Sequence, residues 1–307
     1  MTNGEVLALT NVTKAFRETV AVDSLSLTVR AGTICGLLGP NGSGKTTTIR
    51  MVLNILLPDA GEIRLWSRPP QEVVRERVGY LPEERGLYPK MRVFEHLVFL
   101  AELHGVDGRT ARERAERWPR ELFQFEEYET GGWAKRKVEE LSKGQQQTVQ
   151  LIGALLHDPE LVVLDEPFAG LDPVNAGHLR RIIRRLRDEG KTILLSTHRM
   201  EQVEQLCDDI CLIARGHALV AGNLRQVKAG YGRNVVTMTM DGPDGFLQPD
   251  DVIAAVERRA DGTRIRLQPG ADAQTLLRRA LEVGRVLRFE VVEPSLDEIF
   301  VEAVTAR

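Results

Sequence analysis

Residues 33–50 read TICGLLGPNGSGKTTTIR. The opening TICGLLG is a continuous apolar run, the pattern of a strand buried on both faces. From Thr46 the chain reads as a helix, TTTIRMVLNILL over 46–57, closed by the turn PDAG. Between strand and helix lies G-x-x-x-x-G-K-[ST], formed by Gly39, Pro40, Asn41, Gly42, Ser43, Gly44, Lys45 and Thr46, with Thr47 following. That spacing makes a phosphate-gripping loop. Its glycines let backbone N–H groups converge on phosphate oxygens, and the helix N-terminus adds partial positive charge. Lys45 is placed to reach the β- and γ-phosphates, and the Thr46 hydroxyl to bind Mg²⁺. A glycine-rich turn without a ligand is the alternative, and it leaves a lysine aimed into a nest of amides unexplained.

The loop alone admits kinases, GTPases and transport ATPases. Farther on, LVVLDEP (161–167) sets two carboxylates at a strand end. Asp165 suits a water-mediated partner of Mg²⁺, and Glu166 suits a general base for the attacking water. TILLS (192–196) is another apolar strand, and the Arg-rich helix HLRRIIRRLRDEG lies between the two. Strand-helix-strand alternation with apolar strands implies a parallel sheet covered by helices. VLALTNVTKAF and VAVDSLSLTVRAG, ahead of the loop, alternate like half-buried strands. The stretch from about 93 to 155 is mainly helical, interrupted at Pro119 and at a Gly131-Gly132 loop, and DICLIARGHALVAG (209–222) reads as a closing hairpin.

Bulk properties narrow the partners. A net charge of -3 over 307 residues gives no reason to expect nucleic acid. Cys35, Cys207 and Cys211 have neither metal-ligand nor redox spacing, and Cys35 reads as a buried inert thiol. The first residues, MTNGEVLALTNVTK, lack the basic start and apolar core of a secretory leader. No apolar run approaches the ~20 residues of a membrane-spanning helix, so work at a membrane requires a partner.

Five segments occur in the order GPNGSGKT, LSKGQ, LDEP, AGLD and STH. Across residues from about 5 to 230 this set resembles the nucleotide-binding subunits of ATP-binding-cassette transporters. The resemblance implies an α/β fold: a P-loop ATPase with a mostly parallel sheet, antiparallel N-terminal strands and an inserted helical subdomain (about 90–155), plus a small α+β C-terminal domain. It also implies ATP and Mg²⁺ as ligands. Two copies, as a homodimer or heterodimer, would sandwich two ATP molecules, the loop of one facing Ser142, Gly144 and Gln145 of the other. The residues themselves spell an S-x-x-Q capping box, compatible with anion binding at the helix start. Lys143 replaces a usual glycine, and either adds charge or points to solvent. His198 matches the family's switch histidine, which contacts the γ-phosphate. Asp172 matches the loop that crosses the dimer interface. Phe16 lies where an aromatic ring stacks on adenine, with a core position as the rival reading.

One departure stands out. After VGYLP the family carries a glutamine that binds Mg²⁺ and couples the site to the membrane partner, and this chain has Glu83. Either Glu83 replaces it as an anionic ligand, or the register shifts and the role is lost. Ligation is favoured, because a carboxylate near triphosphate is unfavourable without a cation between them. GYLPEERGLYPKM and EPSLDEIF further resemble a branch of bacterial sodium- and drug-exporter ATPases with an accessory domain. The implied protein is an exporter's ATP-hydrolysing subunit, working with separate transmembrane permease subunits at the cytoplasmic face of the membrane. An importer subunit and a soluble cassette ATPase acting on DNA or ribosomes are the alternatives; the latter typically carries two cassettes or a coiled-coil insertion, absent here.

The expected boundaries are 1–230 for the cassette and 231–307 for the accessory domain. In the latter, VVTMTM, DDVIAAVERR, TRIRLQP, ADAQTLLRRALEVG, VLRFEVVEP and SLDEIFVEAV are expected to alternate strand and helix. The last helix has Ser295 as N-cap and Glu298 three residues on.

Overall fold

The computed structural model describes residues 4–84, 86–123, 132–231, 235–259 and 262–305. The chain divides into two compact units, Met1–Gly222 and Asn223–Arg307.

The first unit opens with two long strands, β1 (Glu5–Phe16) and β2 (Thr19–Arg30), followed by β3 (Ile34–Leu38), α1 (Lys45–Val52), β4 (Ala60–Leu65), a short helix α2 (Val74–Arg77) and β5 (Val78–Leu81). β2, β1 and β4 form an antiparallel sheet in that order. α3 (Val93–Leu103), α4 (Gly108–Phe123) and α5 (Lys143–Leu155) come next, then β6 (Leu161–Asp165), α6 (Pro173–Asp188), β7 (Thr192–Thr197), α7 (Met200–Leu206), β8 (Asp209–Ala214) and β9 (His217–Asn223). The second sheet runs β5-β6-β7-β3-β8-β9, and its pairs from β5 through β8 are parallel. Every residue of β3, β6 and β7 is buried, which is why these strands read as unbroken apolar runs. One core joins the two sheets: Leu7 and Leu25 from the first, Leu37, Val163 and Leu194 from the second, and Ile49 and Val52 of α1 between them.

Several local expectations change. α1 ends at Val52 rather than reaching residue 57, because Asn54 adopts a left-handed backbone (φ 56°) that breaks the helix. α4 runs through Pro119 instead of breaking there. Ala111, Ala115 and Trp118 bury one stripe of that helix, and this packing offsets the ~3 kcal/mol that an interior proline costs. Gly132 is a turn residue with φ 59°, whereas Gly131 lies outside the described residues. Cys35, Cys207 and Cys211 are free and buried, and burial pushes all three thiols up, Cys211 to about 12.

The second unit begins with α8 (Leu224–Gly230) and β10 (Val235–Asp241), then β11 (Ile253–Arg259), β12 (Gly262–Leu267), α9 (Ala273–Val283), β13 (Arg285–Val292) and α10 (Leu296–Thr305). Its four strands form an antiparallel sheet in the order β11-β12-β10-β13. DDVIAAVERR is therefore a strand, not the helix that alternation suggested. Ile253 and Val256 pair with Leu267 and Ile265 across a hairpin, so cross-strand packing overrides the helix-forming alanines. Val236, Met238, Ile265 and Leu267 make a separate small core with Leu276 and Ala280 of α9. Among the described residues no helix is long and apolar enough to cross a membrane.

Candidate nucleotide site

β3 delivers the chain to the loop, and the loop needs glycine where it turns. Gly39 has φ 153°, and a Cβ there would lie 2.1 Å from the Ile213 carbonyl oxygen. Gly44 has φ 110°, and a Cβ would meet the Ala21 carbonyl oxygen at 2.5 Å. Both positions exclude any side chain. Lys45, the first residue of α1, is 5% exposed. Its ammonium donates to the carbonyls of Gly39 at 2.8 Å and Pro40 at 3.1 Å, and lies 3.7 Å from Glu166 Oε1. The Ser43 hydroxyl is buried and finds no partner among the described residues. A buried hydroxyl without a partner and a lysine resting on main-chain carbonyls fit a loop shaped for phosphate oxygens.

Phe16, Asn41, Gly42, Gly44, Lys45, Thr46, Thr47, Glu83 and Glu166 line one open cleft of about 380 Å³. Phe16 is 45% exposed, which removes it from the core. The Lys14 ammonium sits 5.7 Å from its ring centroid. Glu83 is exposed and lines the same cleft as Thr46.

Asp165 ends β6 and Glu166 follows it. Asp165 is 2% exposed. It accepts hydrogen bonds from the hydroxyls of Ser196 and Thr46. Burial raises its carboxyl above the usual range, and those two donors oppose the shift. Glu166 has a left-handed backbone at φ 47°. Its carboxylate meets Nδ1 of His198 at 3.1 Å from each oxygen. Lysine and imidazole thus meet at the Glu166 carboxylate, which lines the cleft. No group of three or more His, Cys, Asp or Glu among the described residues forms a metal cage by itself. Asp165 and the Thr46 hydroxyl, hydrogen-bonded to one another, are oxygen groups of the kind Mg²⁺ takes alongside phosphate oxygens and water.

The remaining residues singled out from sequence lie apart from this cleft. Ser142 caps α5 with the full reciprocal box: its hydroxyl accepts from the Gln145 N–H at 3.3 Å, and its own N–H donates to Gln145 Oε1 at 3.0 Å. Gly144 faces Asn175 and Leu171. Asp172 caps α6, accepting from Val174 and Asn175 N–H at 3.0 Å each, and those bonds hold its carboxyl below the usual range. In one chain, then, Ser142, Gly144, Gln145 and Asp172 do not line the cleft that holds Lys45. Sequence reading also passed over Ser196. It is the serine of the quoted STH segment, and the structure sets it opposite Asp165.

Residues 22–169 match the ABC transporter family, and residues 222–304 match the family of ATP-binding protein DrrA1-3-like C-terminal domains. The chain is 43% identical over 301 residues to the ABC transporter ATP-binding protein YhaQ of Bacillus subtilis, covering 98% of this chain and 99% of that one. It is 39% identical over 249 residues to the Nod factor export ATP-binding protein I of Burkholderia lata, covering 80% and 79%. A solved ATP-binding subunit of an ABC transporter superposes with a TM-score of 0.65 at 27% identity, over 74% of this chain and 93% of that one. The dimeric bacterial cassette MJ0796 shares the fold, with a TM-score of 0.64 at 23% identity over 71% and 99%. The loop and the paired carboxylates lie within the residues matched to the ABC transporter family. The chain belongs to the ABC transporter family, as an ATP-binding, ATP-hydrolysing subunit of a transporter.

Proposed function

We propose that this chain powers export, working as one of two cassettes beneath separate membrane-spanning permease subunits at the cytoplasmic face of the membrane. Glu166 is the general base, and His198 orients it and the attacking water. Lys45 and the N–H groups of the loop from Gly39 to Thr47 hold the phosphates, while Phe16 stacks on adenine. Thr46, Asp165 and Glu83 hold Mg²⁺, which when bound neutralises phosphate charge and polarises the γ-phosphoryl group. Ser142, Gly144 and Gln145 of a second copy complete the site, and Asp172 lies at the crossing between copies.

The observation that carries the catalytic reading is the convergence of Lys45, Glu166 and His198 within 3.7 Å contacts over the loop. Support for a two-copy site comes from the separation of the α5 start from that cleft, although a capped helix start with a nearby glycine suits an anion. Support for export comes from the Nod factor export relative and from the DrrA-like C-terminal match.

Glu166→Gln tests the base. The variant should bind ATP and associate into dimers while hydrolysing ~10²–10⁴-fold more slowly. Near-normal turnover would remove Glu166 from that role. Purification with the adjacent membrane proteins, followed by transport into inside-out vesicles, tests direction: ATP-driven accumulation inside such vesicles is export.

A further inference from the structure

Ser196 stands at the C-terminal end of β7, directly opposite Asp165 in the parallel register, and is fully buried. Its hydroxyl makes two bonds. It donates to Asp165 Oδ1. It also accepts from the Glu166 N–H at 3.0 Å, a donor that the Ser196 carbonyl shares at 3.2 Å. One oxygen therefore holds two successive residues, the first by its side chain and the second by its backbone.

The second bond matters because Glu166 is not in a relaxed conformation. A non-glycine residue at φ 47° is costly, and it persists only where its surroundings over-determine it. Here the Glu166 N–H is tied to Ser196, and its carbonyl accepts from Ala169 N–H at 3.0 Å. That left-handed turn sends the Glu166 side chain back toward Lys45 and His198 instead of along the strand. His198 itself follows Ser196 by two residues, so the same strand end supports both partners of the base.

A buried serine on a strand commonly satisfies itself on a nearby main-chain carbonyl. This one is spent on the two carboxylate residues. We infer that Ser196 is a positioning residue for ATP hydrolysis: its hydroxyl keeps Asp165 and Glu166 in fixed mutual geometry through one shared hydrogen-bond junction. The inference rests on the roles proposed above for those two carboxylates. Losing the hydroxyl leaves Asp165 one donor short and loosens the Glu166 turn, while the loop and Lys45 stay untouched. The defect belongs in turnover and in use of the metal, not in nucleotide binding.

The full-length chain is compared as wild type, Ser196→Ala, Ser196→Thr and Glu166→Gln. Affinity for a fluorescent ATP analogue is measured in EDTA, kcat and KM at saturating Mg²⁺, and the Mg²⁺ concentration for half-maximal rate. Ser196→Ala should bind the analogue within about twofold of wild type, lose about 10- to 100-fold in kcat and need severalfold more Mg²⁺. Ser196→Thr, which restores the hydroxyl, should recover most of the rate. Wild-type kcat and Mg²⁺ demand in Ser196→Ala would overturn the inference. So would equal losses of rate and analogue affinity in both variants, which mark a packing defect. Glu166→Gln separates the two layers: near-normal turnover there overturns the underlying roles, whereas a dead Glu166→Gln beside a healthy Ser196→Ala overturns only the junction.

Discussion

Glu83 is exposed on the wall of a cleft that also contains Lys45, Thr46 and Glu166. Two carboxylates facing triphosphate in one cleft repel it unless cations intervene, and Lys45 supplies only one positive charge. Glu83→Gln removes the negative charge and keeps a ligating oxygen. Hydrolysis should therefore persist, with the Mg²⁺ dependence shifted and the preference between Mg²⁺ and Mn²⁺ altered. A titration superimposable on wild type would show that this carboxylate never touches the ion. The residues readable beforehand share a physical reason for being readable. Gly39 and Gly44 sit where no Cβ fits, and Lys45 at a helix start is costly without an anion, so the chemistry is written in residue type at fixed spacing. Ser196 was not readable, because a serine in a buried strand has many uses and only its distance to Asp165 and Glu166 picks one.

Elements were legible where their ends carry caps and where burial is one-sided or complete. α10 shows this. Ser295 and Glu298 form the expected box, with Glu298 accepting from Ser295 N–H at 2.8 Å and Glu298 N–H donating to Ser295 Oγ at 3.3 Å. What the sequence did not reveal is that Arg264 of β12 reaches the same carboxylate through two 2.8 Å bonds. Burial raises the Glu298 carboxyl, but the Arg264 and Ser295 bonds outweigh it and leave it below the usual range. A carboxyl lowered in the folded state adds stability above its unfolded value, near 4.5. That contribution is lost as pH falls through the folded value. Glu298→Gln should destabilise the second unit by about 2 kcal/mol at neutral pH. The gap should narrow in thermal melts as pH falls through the folded value of Glu298, where wild type loses its charge too. An equal gap across that range would mean that packing, not charge, secures α10. The misread β11 marks the opposite limit. Its alanines favour helix locally, and only pairing with β12, the strand that follows it, makes it a strand.

Each of the two units has its own hydrophobic cluster, one built around Leu37, Ile49 and Val163, the other around Val236, Ile265 and Leu276. All residues lining the nucleotide cleft belong to the first. Ligand binding to a folded state stabilises only the cooperative unit that forms the site, by about 2.7 kcal/mol at a free concentration 100 times Kd. For a unit of that size the shift amounts to about 5–10 °C. Melting the Glu166→Gln chain, which should keep its ATP intact if Glu166 is the base, provides the measurement. With Mg²⁺–ATP the transition of the first unit should rise by that amount, while a tryptophan-silent probe placed on β12 should report an unmoved transition for the second. Wild type in ADP should show a smaller rise in the first unit alone, because ADP lacks the γ-phosphate that Lys45 and His198 are proposed to contact. A single transition that moves as a whole in both nucleotides would mean that the units fold as one cooperative body.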